Sequence, residues 1–273
     1  MTLSERLSDR LAAHGLLANK GLGQHFLLDL NVTRKIARLS GCGPGGLVIE
    51  VGPGPGGLTQ ALLETGARVV AIERDARFAP LLEDLGQAFP GQLEVIFADA
   101  LRVDENQLAG SQPARVVSNL PYNVGTALLI KWLTGPFRPV SLTLMFQKEV
   151  ADRIVADPGA EAYGRLSVLA AAVTDRRIVL EVPARAFTPP PKVASAVVHL
   201  APRDGSIGGE RLDALQAVTA AAFGQRRKML RSGLKSLGGE DLCRAAGVDS
   251  SSRPETVSLP GFLALADALL TKA

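Results

Sequence analysis

Apolar runs bounded by turn residues recur along the first two thirds of the chain, and the stretches between them carry apolar positions at helical spacing. "GLVIEV", "ARVVAIE", "LEVIFAD", "ARVVSN" and "VSLTLMFQ" read as short buried strands, alternating with helical "GGLTQALLET", "ARFAPLLEDLG", "GTALLIKWL" and "KEVADRIVAD". Short apolar strands alternating with helices predict an α/β domain with a mostly parallel sheet covered on both faces. "AYGRLSVLAAAVTD" reads as a further helix, and "RRIVLEVP" and "KVASAVVHLAP" as two β-rich runs around "ARAFTPPP", so antiparallel strands are expected to end the sheet. Ahead of the first strand, one amphipathic segment is followed by "KGLGQHFLLD", a loop expected to close over a site, and Asn31 is a candidate cap for the helix "VTRKIARLS". The Pro, Gly and Ser of "PRDGSIGGE" mark a linker. The pattern therefore predicts a main domain over residues 1–203 and a small all-helical domain over 208–273.

Composition narrows the class of protein more than its function. Of 273 residues, 47% are hydrophobic and 21% charged, values of an ordinary globular chain. No window approaches the roughly 18 uninterrupted apolar residues of a membrane span, and the acidic N-terminal stretch lacks a signal-type apolar core, so a cytoplasmic location without membrane association is expected. Cys42 and Cys243 stand far apart with no CxxC partner or His cluster, so neither a metal site nor a disulfide framework is expected. Nothing asks for an obligate dimer, and a monomer is the expectation. The formal charge of +3 names no partner, but its distribution is uneven: "AFGQRRKMLRSGLKS" carries Arg226, Arg227, Lys228, Arg231 and Lys235 and no acid. Such a stripe fits phosphate contacts, or a solvated helix face.

Candidate chemistry collects at strand ends. "VIEVGPGPGGLTQAL" places Gly52, Gly54 and Gly56 between the first strand and a helix, where glycines permit positive φ and close approach of a ligand; as a bare motif it also fits a plain tight turn. Glu73 ends the second strand about 20 residues beyond Gly52, the place of an acid that binds ribose hydroxyls. Asp99 ends the third strand, where it can accept from an adenine amino group, and Glu50 precedes the glycines, able to orient the loop or to face the charged end of a ligand. A dinucleotide turn would read GxGxxG; evenly alternating glycines after an acid favour S-adenosylmethionine, which has no pyrophosphate for a helix N-terminus to hold.

The fourth strand runs into "NLPYN" at Asn119–Asn123. An exocyclic aromatic amine is a poor nucleophile because its lone pair is delocalised into the ring. The Asn119 side-chain oxygen and the Leu120 carbonyl can each accept an N6 hydrogen and draw the nitrogen toward a tetrahedral shape, Pro121 stiffens the turn, and Tyr122 offers a face for stacking. Phe187, on the proline-stiffened "ARAFTPPPKV", is the candidate second face of a base sandwich, with a place in the core as its alternative. Lys192 can meet a phosphate or simply be solvated.

In that order, "GLGQHFLLD", "EVGPGPGGLT", "NLPYN", "QKEVADRIVA", "YGRLSVLAA", "FTPPPKVASAVVHL" and "AFGQRRKMLRSGL" closely resemble the ribosomal RNA adenine dimethyltransferase family, in particular its small-subunit branch, over nearly the whole chain. The resemblance implies a Rossmann-like S-adenosylmethionine-dependent methyltransferase domain followed by the helical RNA-binding domain. It implies N6,N6-dimethylation of two adjacent adenosines near the 3′ end of small-subunit (16S) rRNA, late in subunit assembly, with two S-adenosylmethionine molecules used per adenosine. Carried onto matching positions, it gives cofactor contacts at His25, Leu27, Gly52, Glu73, Asp99 and Asn119; the residues themselves add Gly54 to that set, catalytic roles at Asn119, Leu120, Pro121, Tyr122 and Phe187, and RNA contacts at Lys192, Arg226, Arg227, Lys228 and Arg231. Two departures stand out: His25 occupies a position that is Asn in some members, and "IERDA" puts Arg74 after the ribose acid where "IELD" is common. A large-subunit rRNA methyltransferase of the antibiotic-resistance type, or an assembly factor that has lost catalysis, are the alternatives; intact Gly52, Glu73, Asn119 and Tyr122 speak against the second.

Overall fold

The structure, a computed structural model, describes residues 7–16, 25–225 and 228–272, for positions 8 and 10 the backbone alone. Its strands are β1 (Phe26–Leu27), β2 (Leu47–Val51), β3 (Arg68–Glu73), β4 (Leu93–Phe97), β5 (Ala114–Asn119), β6 (Ser141–Gln147), β7 (Thr174–Val182), β8 (Phe187–Thr188) and β9 (Ser195–Pro202). Seven of them form one sheet in the order β4-β3-β2-β5-β6-β9-β7, while β1 and β8 pair separately and antiparallel. The pairs β2–β3, β3–β4, β2–β5 and β5–β6 are parallel and β6–β9 is antiparallel, as the β-rich runs around "ARAFTPPP" led one to expect. All five residues of β2 are buried, which is why it reads as a continuous apolar run; Glu50, next to its last residue, is the exception in chemistry, not in burial.

The helices are α1 (Leu7–Ala13), α2 (Leu30–Leu39), α3 (Gly57–Leu63), α4 (Ala79–Ala88), α5 (Glu105–Ala109), α6 (Gly125–Thr134), α7 (Lys148–Val155), α8 (Arg165–Val173), α9 (Gly209–Gly224), α10 (Leu230–Gly233), α11 (Gly239–Ala245) and α12 (Leu259–Lys272). Asp29, rather than Asn31, caps α2: its backbone is extended (φ −77°, ψ 104°) and its carboxylate accepts the Asn31 N–H at 2.8 Å. Asn31 already has its amide inside the first turn, so its own side chain is one residue pair too late to serve.

The chain divides into two compact units, one of residues 1–132, 136–151 and 177–201 and one of 133–135, 152–176 and 202–273. The second therefore takes in α8 as well as the C-terminal helices, where the sequence pattern placed a divide at 203–208. The reason is packing: Tyr163, Val168 and Leu169 share a buried cluster with Leu212, Leu215 and Val218 of α9 and Phe262 and Leu265 of α12. Tyr163 Oη donates to Val257 O at 2.9 Å, and Arg203 Nη1 to Ala171 O at 2.9 Å.

In the first unit, β2 has β3 on one side and β5 on the other. The chain order reverses there, and open parallel sheets bind ligands beyond the carboxyl ends of strands at such a switch point. The glycine turn follows β2 and "NLPYN" follows β5, so both candidate motifs open onto the same place.

Candidate functional site

After Val51 the chain turns through Gly52, Gly54 and Gly56 with φ of 70°, 53° and 87°, alternating with Pro53 and Pro55. Side-chain-bearing residues avoid that conformation, which explains the alternation. The turn leaves little for a pyrophosphate: prolines have no N–H, and the amides of Gly52, Gly54 and Gly56 donate to Ile72 O (2.9 Å), Glu73 Oε2 (2.9 Å) and Pro53 O (3.0 Å). A Cβ on Gly52 would stand 3.3 Å from Pro121 Cδ, so the glycine turn and the β5 turn are in contact.

Four acids line the cleft: Glu50 of β2, Glu73 of β3, Asp75 just after it and Asp99 two residues beyond β4. Glu73, 5% exposed, accepts from Gly54 N–H at Oε2 and from Arg74 and Asp75 N–H at Oε1, at 2.8 and 2.7 Å. Of roughly four lone-pair directions on a carboxylate, these three bonds leave one, on Oε2, and Glu73 lines the cleft. Burial raises the Glu73 carboxyl above its ordinary value, against the pull of those backbone donors. Glu50 is 1% exposed and its Oε2 has no hydrogen-bond partner. Burial pushes it up to about 8, and the neighbouring Glu73 charge adds to the shift. Neutral near pH 7, such an acid ionises when a positive charge comes against it. Asp99, half-buried, accepts the Leu101 N–H at 3.0 Å.

The β5 side carries no charge. Asn119 pairs with Met145 of β6 at the strand end, and Ser118 Oγ donates to Val51 O, tying β5 to the last residue of β2. The Leu120 side chain is buried, and Pro121 O accepts the Gly125 N–H at 3.0 Å, so the turn runs directly into α6. Tyr122 Oη and Ser195 Oγ are 2.7 Å apart. Burial raises the phenol above its ordinary value, so Tyr122 is neutral. Its ring lies 5.5 Å from that of His25 at a 32° tilt, and His25 Nδ1 is 2.8 Å from Pro189 O.

His25, Leu27, Gly52, Gly54, Glu73 and Asp99 all line one open cleft of about 1100 Å³, mouth included, and Asn119, Leu120, Pro121 and Tyr122 line the same cleft. Phe187 does not reach it. It is 2% exposed, packed with Leu27, Met145, Val182 and Val197, and its strand β8 is paired to β1 at Leu27. The core alternative for Phe187 is thus the one this structure takes, and His25 is the ring next to Tyr122. Lys192 is exposed and away from the cleft lining. On the helical unit Lys228 and Arg231 are exposed, while Arg226 and Arg227 lie outside the described residues. Among the described residues no group of His, Cys, Asp and Glu could hold a metal. Sequence reasoning missed Ser195 and the buried Glu105, which accepts from Lys131 and Trp132. Strand pairing, with Gln147 opposite Ser195, and the packing of α6 against α5 place these residues, so no local pattern announces them.

The family model for ribosomal RNA adenine dimethylase matches residues 15–269. The chain is 67% identical over 266 residues to the ribosomal RNA small subunit methyltransferase A of Phenylobacterium zucineum, covering 97% of this chain and 93% of that one. It is 66% identical over 254 residues to the protein of the same name from Caulobacter vibrioides, covering 93% and 98%. Among solved structures it resembles a dimethyladenosine transferase from Plasmodium falciparum (TM-score 0.73, 24% identity, 88% and 96% covered). It also resembles the 23S rRNA methyltransferase ErmE (TM-score 0.68, 26% identity, 89% and 99% covered).

Proposed function

The chain belongs to the ribosomal RNA adenine dimethylase family, and from that premise we propose how its residues divide the work of dimethylating adenosine in small-subunit rRNA. The enzyme is an S-adenosylmethionine-dependent rRNA adenine N6-dimethyltransferase. The observation that carries the residue assignment is one cleft at the sheet's switch point with buried carboxylates on one wall and a neutral amide–carbonyl–aromatic turn on the other. Identity of 67% to a small-subunit enzyme against 26% to the 23S enzyme favours the small-subunit substrate.

The residues fit the cofactor. A glycine turn with its amides spent internally has no use for a pyrophosphate, and the unpartnered Glu50 Oε2 asks for a positive charge. S-adenosylmethionine, when bound, supplies a methyl group on a sulfonium. Glu73 holds the ribose through its open Oε2 position, Asp99 takes the adenine amino group, Glu50 faces the cationic end, and His25 and Leu27 cover the site from the N-terminal side. Asn119 Oδ1 and the Leu120 carbonyl accept the two hydrogens of the target N6, and Tyr122 stacks on its ring. Alignment does most of the work, since a pre-oriented attack needs no strong base and the methylated amine's extra proton is acidic enough to leave to water. After the first methyl only one N6 hydrogen remains, so one of the two acceptors must go unmatched in the second transfer.

Lys192 and the stripe Arg226, Arg227, Lys228 and Arg231 meet RNA phosphates; the substrate is the assembling small subunit late in its maturation, with two adjacent adenosines near the 3′ end as targets; the enzyme works in the cytoplasm as a monomer. Among the described residues no helix is long and apolar enough to cross a membrane. The test is incubation with labelled S-adenosylmethionine and unmethylated small subunits, followed by nucleoside mass spectrometry. Dimethyladenosine at two adjacent positions is expected; label confined to large-subunit RNA or to DNA would overturn the assignment.

A further inference from the structure

Lys131 sits in the last turn of α6, outside the cleft lining, with its side chain 27% exposed. Its ammonium donates to Ala100 O at 3.0 Å, Val103 O at 2.5 Å and Glu105 Oε1 at 2.9 Å. An ammonium has three donors, so all of them are spent on one loop and on the first residue of α5. Glu105 is 2% exposed, and the same Oε1 accepts Trp132 Nε1–H at 2.7 Å. A buried ion pair is seldom needed for stability, because apolar side chains of similar volume do as well. What this one adds is direction: two backbone carbonyls and a carboxylate are fixed about a single nitrogen.

The loop so held is the one that presents Asp99 to the cleft. Upstream, Ala98 N–H donates to Glu73 O at 2.9 Å; within the loop, Arg102 N–H donates to Asp99 O at 2.9 Å and Leu101 N–H to Asp99 Oδ1 at 3.0 Å. Within that loop Leu101 is 41% exposed, so its side chain adds little packing there. The other end of α6 starts at the β5 turn, where Pro121 O accepts the Val124 and Gly125 amides at 3.2 and 3.0 Å. One helix thus grips the base-side turn with its first residues and the Asp99 loop with its last.

We infer that Lys131 is a positioning residue, which, with Glu105 and Trp132, locks the Asp99–Val103 loop to α6 and keeps the adenine-binding acceptor in one frame with the Asn119–Tyr122 turn. The inference rests on the cleft being the S-adenosylmethionine site. Lys131→Met is expected to weaken S-adenosylmethionine binding, and adenosine binding with it, on the order of tenfold, the usual scale for a residue that acts on a ligand without touching it. KM for the cofactor should rise in step while kcat at saturating cofactor stays within about twofold. Calorimetry on the full-length wild type, Lys131→Met, Asp99→Ala and the double variant gives the decisive comparison. In the Asp99→Ala background the Lys131 change should cost almost nothing more, because the group it positions is gone. Unchanged cofactor affinity in Lys131→Met, or losses that simply multiply in the double variant, would overturn the inference. Lys131→Gln serves the same comparison if Lys131→Met does not fold. A wild type that binds no S-adenosylmethionine would instead sink the reading of the cleft.

Discussion

The ends of β2 and β3 and the end of β5 face one cleft with opposite chemistry. Glu50 and Glu73 are carboxylates at 1% and 5% exposure, each raised by burial. Asn119 and Tyr122 offer an amide and a neutral phenol, and the turn between them is apolar. Burying charge is costly unless something repays it. The difference makes sense if one wall receives a cation and the other a neutral amine whose lone pair must stay available. A carboxylate beside the target N6 would accept more strongly than an amide oxygen, but it would set a further acid beside Glu50 and Glu73 and oppose the ionisation of both.

The sharpest way to break that division is Asn119→Ala. Loss of a pre-oriented acceptor should lower methyl transfer by about 10²- to 10³-fold, with small-subunit binding nearly intact; near-normal turnover in single-turnover assays would refute the base-side role. On the opposite wall, Glu50 gives a pH signature. Its folded value of about 8 lies above the ordinary 4.5, so its contribution to stability is full below about 4.5 and is lost as pH climbs through about 8. A cationic ligand favours the carboxylate, so binding at pH 6–7 should release a proton, and affinity should climb by up to about tenfold per pH unit until pH nears 8. Calorimetry in buffers of different ionisation enthalpy reads the release, which Glu50→Gln should abolish. Tyr122→Ala should cost about 1–3 kcal/mol of stacking in kcat/KM for the subunit; Tyr122→Phe gives up only the Ser195 contact and should stay within about threefold. Equal losses in the two would discard stacking. Smallest in activity is Phe187→Leu: as a core residue it should cost about 1 kcal/mol of stability while activity per folded molecule changes little, and a large loss of turnover with an unmoved melting midpoint would return it to the base sandwich.

Much of this cleft was legible in the sequence because strand-end motifs are local. Gly52, Glu73, Asp99 and Asn119 each end or follow an apolar run, and a parallel sheet brings such ends together without further information. Phe187 was ambiguous for the same reason. An aromatic on a loop can turn toward a site or into the core, and only the pairing of β8 with β1 decides which. The helical unit's claim on residues 152–176 was hidden because Tyr163 and Leu169 look like any buried helix face until α9 and α12 are set beside them. Lys131 and Glu105 carry no motif at all, being joined by tertiary packing across two helices.

The division of the cleft is tested most directly by the S-adenosylmethionine dissociation constant, measured without RNA for Glu73→Ala and Tyr122→Ala side by side. A charge-assisted hydrogen bond worth about 1.5–3 kcal/mol predicts a loss of at least about tenfold for Glu73→Ala, with Tyr122→Ala within about twofold of wild type. Equal weakening in both variants, or an unaffected Glu73→Ala, would contradict it.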